Sequence, residues 1–141
     1  MSARVHLSPD ATVALVELEG TVRWRHLAAA LLGLFGRDDS NPGLHVLWDA
    51  RRVTRLDLPP QQVSALISLL DRVRGRYEGG RSAVLVRCDV DAAIARFLVW
   101  CGWGRGREYG VFDRLEEAVA FLGLPSARAL PLRSERVLVV A

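Results

Sequence analysis

A chain of 141 residues that is half apolar and a quarter charged has the balance of a protein that buries one core, which excludes a disordered or fibrous class. Its 19 basic side chains, all arginine, exceed 16 acidic ones by only +3, and no basic stripe marks it as a nucleic-acid binder. The opening MSARVHLSPD lacks the apolar core of a secretion signal, and no run approaches the roughly 18 apolar residues of a membrane span, so the cytoplasm is the expected compartment.

The chain opens on two short alternating runs, Arg4 to Leu7 and Ala11 to Gly20, separated by Ser8, Pro9 and Asp10, and this predicts a hairpin. From Val22 to Phe35 the residues Trp24, Leu27, Ala28, Leu31 and Phe35 recur at helical spacing, and Gly36 with DDSNPG (38–43) ends the pattern. Leu44 to Ala50 is a short apolar run and reads as a strand, followed by an arginine-rich loop to Pro60. Val63, Leu66, Ile67, Leu70, Val73 and Tyr77 mark one stripe of a second helix, closed by Gly79 and Gly80.

Arg81 to Cys88 is apolar at successive positions, as in a strand covered on both faces. Asp89 caps a predicted helix whose inner stripe is Val90, Ile94, Phe97 and Cys101, and GWGRG (102–106) ends it. Glu108 to Phe112 reads as a further strand. Asp113, three residues before Glu116, has the spacing of a capping box for a closing helix that carries Leu115, Ala118, Val119 and Leu122. The expected class is therefore α/β: a single domain of order β-β-α-β-α-β-α-β-α over residues 1–124, with a mixed, mostly parallel sheet and crossover helices. A tail, 125–141, ends in the apolar, β-branched RVLVVA and is expected to add a strand, in cis or with a second copy.

Little in this pattern resembles a catalytic set. His6, His26 and His45 are scattered and lack metal-ligand spacing, and Cys88 and Cys101 fall in apolar surroundings that dull thiol reactivity. No catalytic, cofactor or metal residue is assigned. The arginine clusters, Arg51, Arg52 and Arg55 and then Arg72, Arg74, Arg76 and Arg81, read as solvated faces. On the helix after Asp89, a step of about 100° per residue turns Val99 and Trp103 away from the core stripe and leaves Trp100 at its edge beside Arg96. With Arg105 and Arg107 these residues form a candidate partner surface, because tryptophan and arginine dominate binding energy at interfaces.

The hairpin opening, the run GLHVLWDARRVTRLDLPP (43–60) and the closing EYGVFDRLEEAVAFLGL (108–124) resemble the STAS-like family, the sulfate-transporter and anti-sigma-factor-antagonist domains. The likeness is strongest to the bacterial SpoIIAA-like branch shared with Sec14-like lipid carriers. It spans roughly Val5 to Leu124. It implies a non-enzymatic domain that docks on partner proteins, with a phosphorylatable serine or threonine after an aspartate at the second helix entrance. Asp57 matches that aspartate, but Leu58, Pro59 and Pro60 follow, so the switch is degenerate. The two prolines also remove amide donors that a phosphate at a helix entrance needs.

The reading is therefore a regulatory or scaffold module acting through an unknown protein partner or its own copy. The alternative is a carrier of a small hydrophobic ligand or lipid held by Trp24, Phe35, Phe97 and Trp100. A third reading, an enzyme using Asp49 and Asp57, calls for a polar cleft beside those carboxylates.

Overall fold

Alternation at the start of the chain becomes a hairpin. The structure, a computed structural model, describes residues 3–36, 43–73, 79–88 and 107–131, together with the backbone of 136–140. Strand β1 (Ala3–Leu7) runs antiparallel to β2 (Val13–Arg23), with Val5 opposite Val16. Between them Asp10 accepts hydrogen bonds from the Ser8 and Thr12 hydroxyls at 2.7 and 2.8 Å. These bonds, that of Ser8 first, hold its carboxyl below the usual carboxylate range.

Helix α1 (Trp24–Phe35) follows β2 directly and buries Leu27, Leu31, Leu34 and Phe35 at helical spacing. Trp24 departs from the expected stripe: it is the first helical residue and is 37% exposed. Strand β3 (His45–Asp57) pairs in parallel with β2, helix α2 (Pro60–Arg72) follows, and β4 (Arg81–Leu85) and β5 (Glu108–Phe112) extend the parallel sheet. Helix α3 (Leu115–Phe121) leads to a single tight turn at Ala127–Ala129, and β6 (Arg136–Val140) lies antiparallel to β1 in the same chain. The sheet order is β5-β4-β3-β2-β1-β6. The helix and glycine loop expected over 89–106 lie outside the described residues.

Strand alternation sorts the core into two layers. Val5, Val16, Val22, Val46 and Trp48 meet α1 and α2 on one face, while Val13, Leu15, Leu47 and Leu85 meet Ala118, Val119 and Leu122 of the α3 segment on the other. Burying a side chain such as Leu31 or Leu47 contributes about 2 kcal/mol, which is why the sheet tolerates no polar residue at these positions. At α3 the capping differs from the expectation. The N-cap is Arg114, with no side-chain cap bond, and Glu116 and Glu117 instead place negative charge against the positive helix end.

Strand β3 is longer than its apolar run suggests. The segment 51–57, expected as loop, is strand because β3 carries two register shifts against β2, between Glu17/Glu19 and between Gly20/Thr21. Each shift sets an extra β3 residue against β2, as a bulge does. Ala50, Val53 and Leu56 all reach the α1/α2 core as a result, at spacings of three that an unbulged strand does not allow.

Arg107, expected on a partner surface, is buried at 8% exposure. Its Nε donates to Ser82 Oγ at 3.1 Å, and its Nη2 donates to the carbonyls of Arg81, at 3.1 Å, and Leu44. The guanidinium also lies 5.1 Å from the centre of the Phe35 ring. One planar fork thus ties the starts of β3 and β4 to the end of α1, using donors that the sequence reading had given to a partner surface. Gly80 is required beside it, because any Cβ there would collide with the Leu44 carbonyl and the guanidinium. Arg107→Ala should therefore cost about 3 kcal/mol of stability by leaving buried acceptors without donors, with Arg107→Lys recovering only part of it. Urea denaturation midpoints check this; a loss below about 1 kcal/mol would mean that the fork does not hold these strands together.

Candidate functional site

The parallel pairing of β2 and β3 ends with Arg23 opposite Asp57, so the entrances of α1 and α2 emerge side by side. Arg23 Nε lies 3.5 Å from Asp57 Oδ2 and bridges them. At the α2 entrance Leu58 packs into the core, Pro59 is the N-cap and Pro60 the first helical residue. That is where proline's fixed φ and missing N–H fit a helix. The Pro59 carbonyl accepts from Gln62 and Val63 at 2.9 and 3.2 Å. At the α1 entrance the backbone N–H of Arg23 donates to His26 Nδ1 at 2.9 Å, and Trp24 stands beside this bond. The predicted rigid entrance around Asp57, Leu58, Pro59 and Pro60 is thus joined by Arg23 and Trp24, which spacing along the chain had assigned to a separate helix.

A second feature lies on the opposite face of the sheet. Leu15, Leu47, Leu115 and Leu130 floor an open cleft of about 400 Å³, and Glu17, Asp49, Arg51 and Arg52 rim it. Arg51 and Arg52 are consecutive, yet both line it because the first β3 bulge falls there. Asp49 is fully engaged by Arg51: Oδ1 accepts from Arg51 Nε at 3.0 Å and from its backbone N–H at 3.2 Å, and Oδ2 accepts from Nη2 at 2.9 Å. These bonds, and more distantly the charge of Glu116, raise the Arg51 pKa further and keep it cationic. Behind the rim His6, buried at 5% exposure, places Nε2 2.6 Å from Glu17 Oε1.

Several expectations change against this geometry. Asp49 does border a polar cleft, but Asp57 is eight residues further along the same strand, more than about 20 Å away, so the two carboxylates do not face one site. Trp24 and Phe35 sit at opposite ends of α1, about 16 Å apart along its axis, and do not line one apolar pocket. Phe97 and Trp100 lie outside the described residues. So do Arg96, Val99, Trp103 and Arg105 of the candidate partner surface, while Arg107 is buried. Cys88 is exposed rather than set among apolar side chains, because β4 ends at Leu85 and Val86 is the last buried residue after it. Arg51 and Arg52 belong to the cleft rather than to a featureless solvated face. Glu17 was missed; its signal was the alternation in LVELE (15–19), which puts both glutamates on one face. Among the described residues no group of three or more His, Cys, Asp or Glu side chains is placed to hold a metal ion, and no helix is long and apolar enough to cross a membrane.

No family model and no curated protein matches the chain. Among solved structures, it is similar to the crystal structure of an uncharacterized protein of the DUF3478 family, with a SpoIIAA-like fold, from Shewanella loihica PV-4. The superposition has a TM-score of 0.53 and 16% identity and covers 86% of this chain and 92% of that one. The fold is SpoIIAA-like. At that identity the likeness carries the SpoIIAA-like arrangement of strands and helices and leaves the chemistry of each surface to the residues themselves.

Two histidines tie this SpoIIAA-like fold to pH. His26 has a lowered pKa, mainly from burial and then from Arg25 and Arg23. His45, whose Nδ1 accepts the Arg81 backbone N–H at 3.1 Å, is lowered by burial and then by Arg107 and Arg81. Both rings are therefore neutral acceptors when folded, and the unfolded chain binds protons that the folded chain declines. Stability should be full above the unfolded histidine pKa of about 6.5 and fall as pH drops through it, with a slope of at most about 1.4 kcal/mol per pH unit for each histidine. Urea midpoints between pH 7.5 and 5 should show this fall. His26→Gln should flatten it; an unchanged slope would remove His26 from the account.

Proposed function

We propose that the chain is a non-enzymatic, cytoplasmic module that works by docking a protein partner at the joined entrances of α1 and α2. The observation that carries this reading is Trp24, more than a third exposed, beside the Arg23–Asp57 pair and the Pro59–Pro60 entrance. An aromatic and an arginine on a rigid surface are the residue types that supply most binding energy at interfaces, and rigidity lowers the ordering cost of association. The SpoIIAA-like fold supports the reading by resemblance. In the family pattern a hydroxyl at this entrance switches binding by phosphorylation. Here Leu58 and Pro59 stand in its place, so docking at this surface is constitutive.

A carrier of an apolar ligand is the second reading, suggested by the Sec14-like side of the resemblance and by the leucine floor of the cleft. The charged rim disfavours it, since a lipid chain entering there strips water from Glu17 and Arg52 without returning partners to them. Capture from the native cell, with proteins and lipids both identified by mass spectrometry, separates the two. The expected outcome is one protein enriched with the wild-type chain and lost with Trp24→Ala, a loss on the order of 2 kcal/mol in binding, while the melting temperature stays unchanged. A copurified lipid retained by Trp24→Ala would favour the carrier instead. A protein partner bound equally by Trp24→Ala would move the docking surface elsewhere.

A further inference from the structure

The cleft on the far face of the sheet has a charge arrangement that partner docking at the helix entrances does not use. Of its four charged rim residues, two cancel: both oxygens of Asp49 are taken by Arg51. Glu17 and Arg52 remain. Glu17 is held by His6 through Oε1, and its second oxygen has no hydrogen-bond partner among the described residues. Arg52, turned into the cleft by the bulge, forms no ion pair among the described residues, with Glu17 or any other carboxylate. His6 fixes Glu17 from behind, because a buried ring 2.6 Å from one carboxylate oxygen restricts the rotation of the whole group. The site therefore presents one negative and one positive group above a floor of leucines.

We propose that this cleft binds a small zwitterion with an apolar body, of the α-amino acid or dipeptide class. Its ammonium pairs with Glu17, its carboxylate with Arg52, and its side chain lies on Leu15, Leu47, Leu115 and Leu130. A lone anion meets the charge of Glu17, and a lone cation that of Arg52, so each is disfavoured where a molecule carrying both charges is not. The floor gives the ligand's apolar part a surface to bury, and a volume of about 400 Å³ is within the range of small-ligand pockets. Exposed charges alone bind weakly in water. The leucines and the preorganised Glu17 are what raise the interaction above surface ion pairing.

The inference is independent of the partner reading, because binding is measured on the isolated protein. Calorimetry or amide chemical shifts with L-leucine and the dipeptide leucyl-leucine should show saturable binding to at least one of them. N-acetyl-leucine, which lacks the ammonium, and leucinamide, which lacks the carboxylate, should bind on the order of tenfold more weakly. Glu17→Gln should abolish the preference for leucine over N-acetyl-leucine, and Arg52→Gln the preference over leucinamide, while Thr54→Ala, at an exposed position farther along β3, changes neither. Thermal melts identify any variant that fails to fold. Two results would overturn the proposal: no saturable binding of either zwitterion at about 10 mM, or blocked analogues that bind as tightly as the zwitterions. Folded Glu17→Gln and Arg52→Gln proteins that keep the wild-type preferences would do the same.

Discussion

Both the proposed docking surface and the proposed ligand cleft depend on the pairing of β2 with β3, which runs from Val13 opposite His45 to Arg23 opposite Asp57. Among the described residues, neighbouring strands support only its first part. There the β1–β2 ladder ends at Leu18 and the β3–β4 ladder at Asp49, and beyond these points β2 and β3 pair only with each other. An isolated parallel pair has slanted hydrogen bonds and little stability of its own. Val22 and Leu56 supply what the ladder lacks by reaching into the α1/α2 core, and the Arg23–Asp57 bridge closes the far end.

The two bulges in β3 make that support possible. A strict alternation from Trp48 onward places Ala50, Arg52, Thr54 and Leu56 on the helix side, with two polar residues, one an arginine, forced toward the core. With the bulges, Ala50, Val53 and Leu56 take those places, and the residues between them are left to the other face in pairs. The consequence reaches past packing. Arg51 and Arg52 come to the same cleft, one neutralising Asp49 and the other remaining available, an arrangement that an unbulged strand does not produce from adjacent residues.

This also explains which parts of the molecule were legible in the sequence. The hairpin, α1, α2, β5 and α3 each follow from a local period, and Leu27, Leu31, Phe35, Leu66, Leu70, Ala118 and Val119 are buried where it places them, while Trp24 is exposed and β5 only half-buried. The SpoIIAA-like arrangement was legible through the order of those elements. The length of β3 was not: its period breaks at each bulge, and RRVTRLD then looks like a charged loop. Arg107 was misplaced for a related reason. Its donors are used by carbonyls of Leu44 and Arg81, and backbone acceptors leave no mark in side-chain identity. The cleft was half visible, as Asp49 and an arginine cluster, and lacked Glu17 and His6, which reach it only through strand neighbours.

The positions of the two surfaces bear on how they act together. Glu17 and Arg23 are six residues apart on β2, about 20 Å, so a ligand in the cleft does not touch a partner at the helix entrances. They nevertheless share the stretch of the β2–β3 pair that, among the described residues, β1 and β4 do not flank, and energetic coupling between separated sites needs an element that both can bias. A ligand that ties Glu17 on β2 to Arg52 on β3 adds a cross-strand link at the point where sheet support ends. Such a link favours the paired ribbon over its frayed forms, and it is the paired ribbon that sets Arg23 against Asp57. Were both proposed sites occupied, the β2–β3 ladder, which carries Glu17 and Arg52 at one point and Arg23 and Asp57 at the other, would be the element they share.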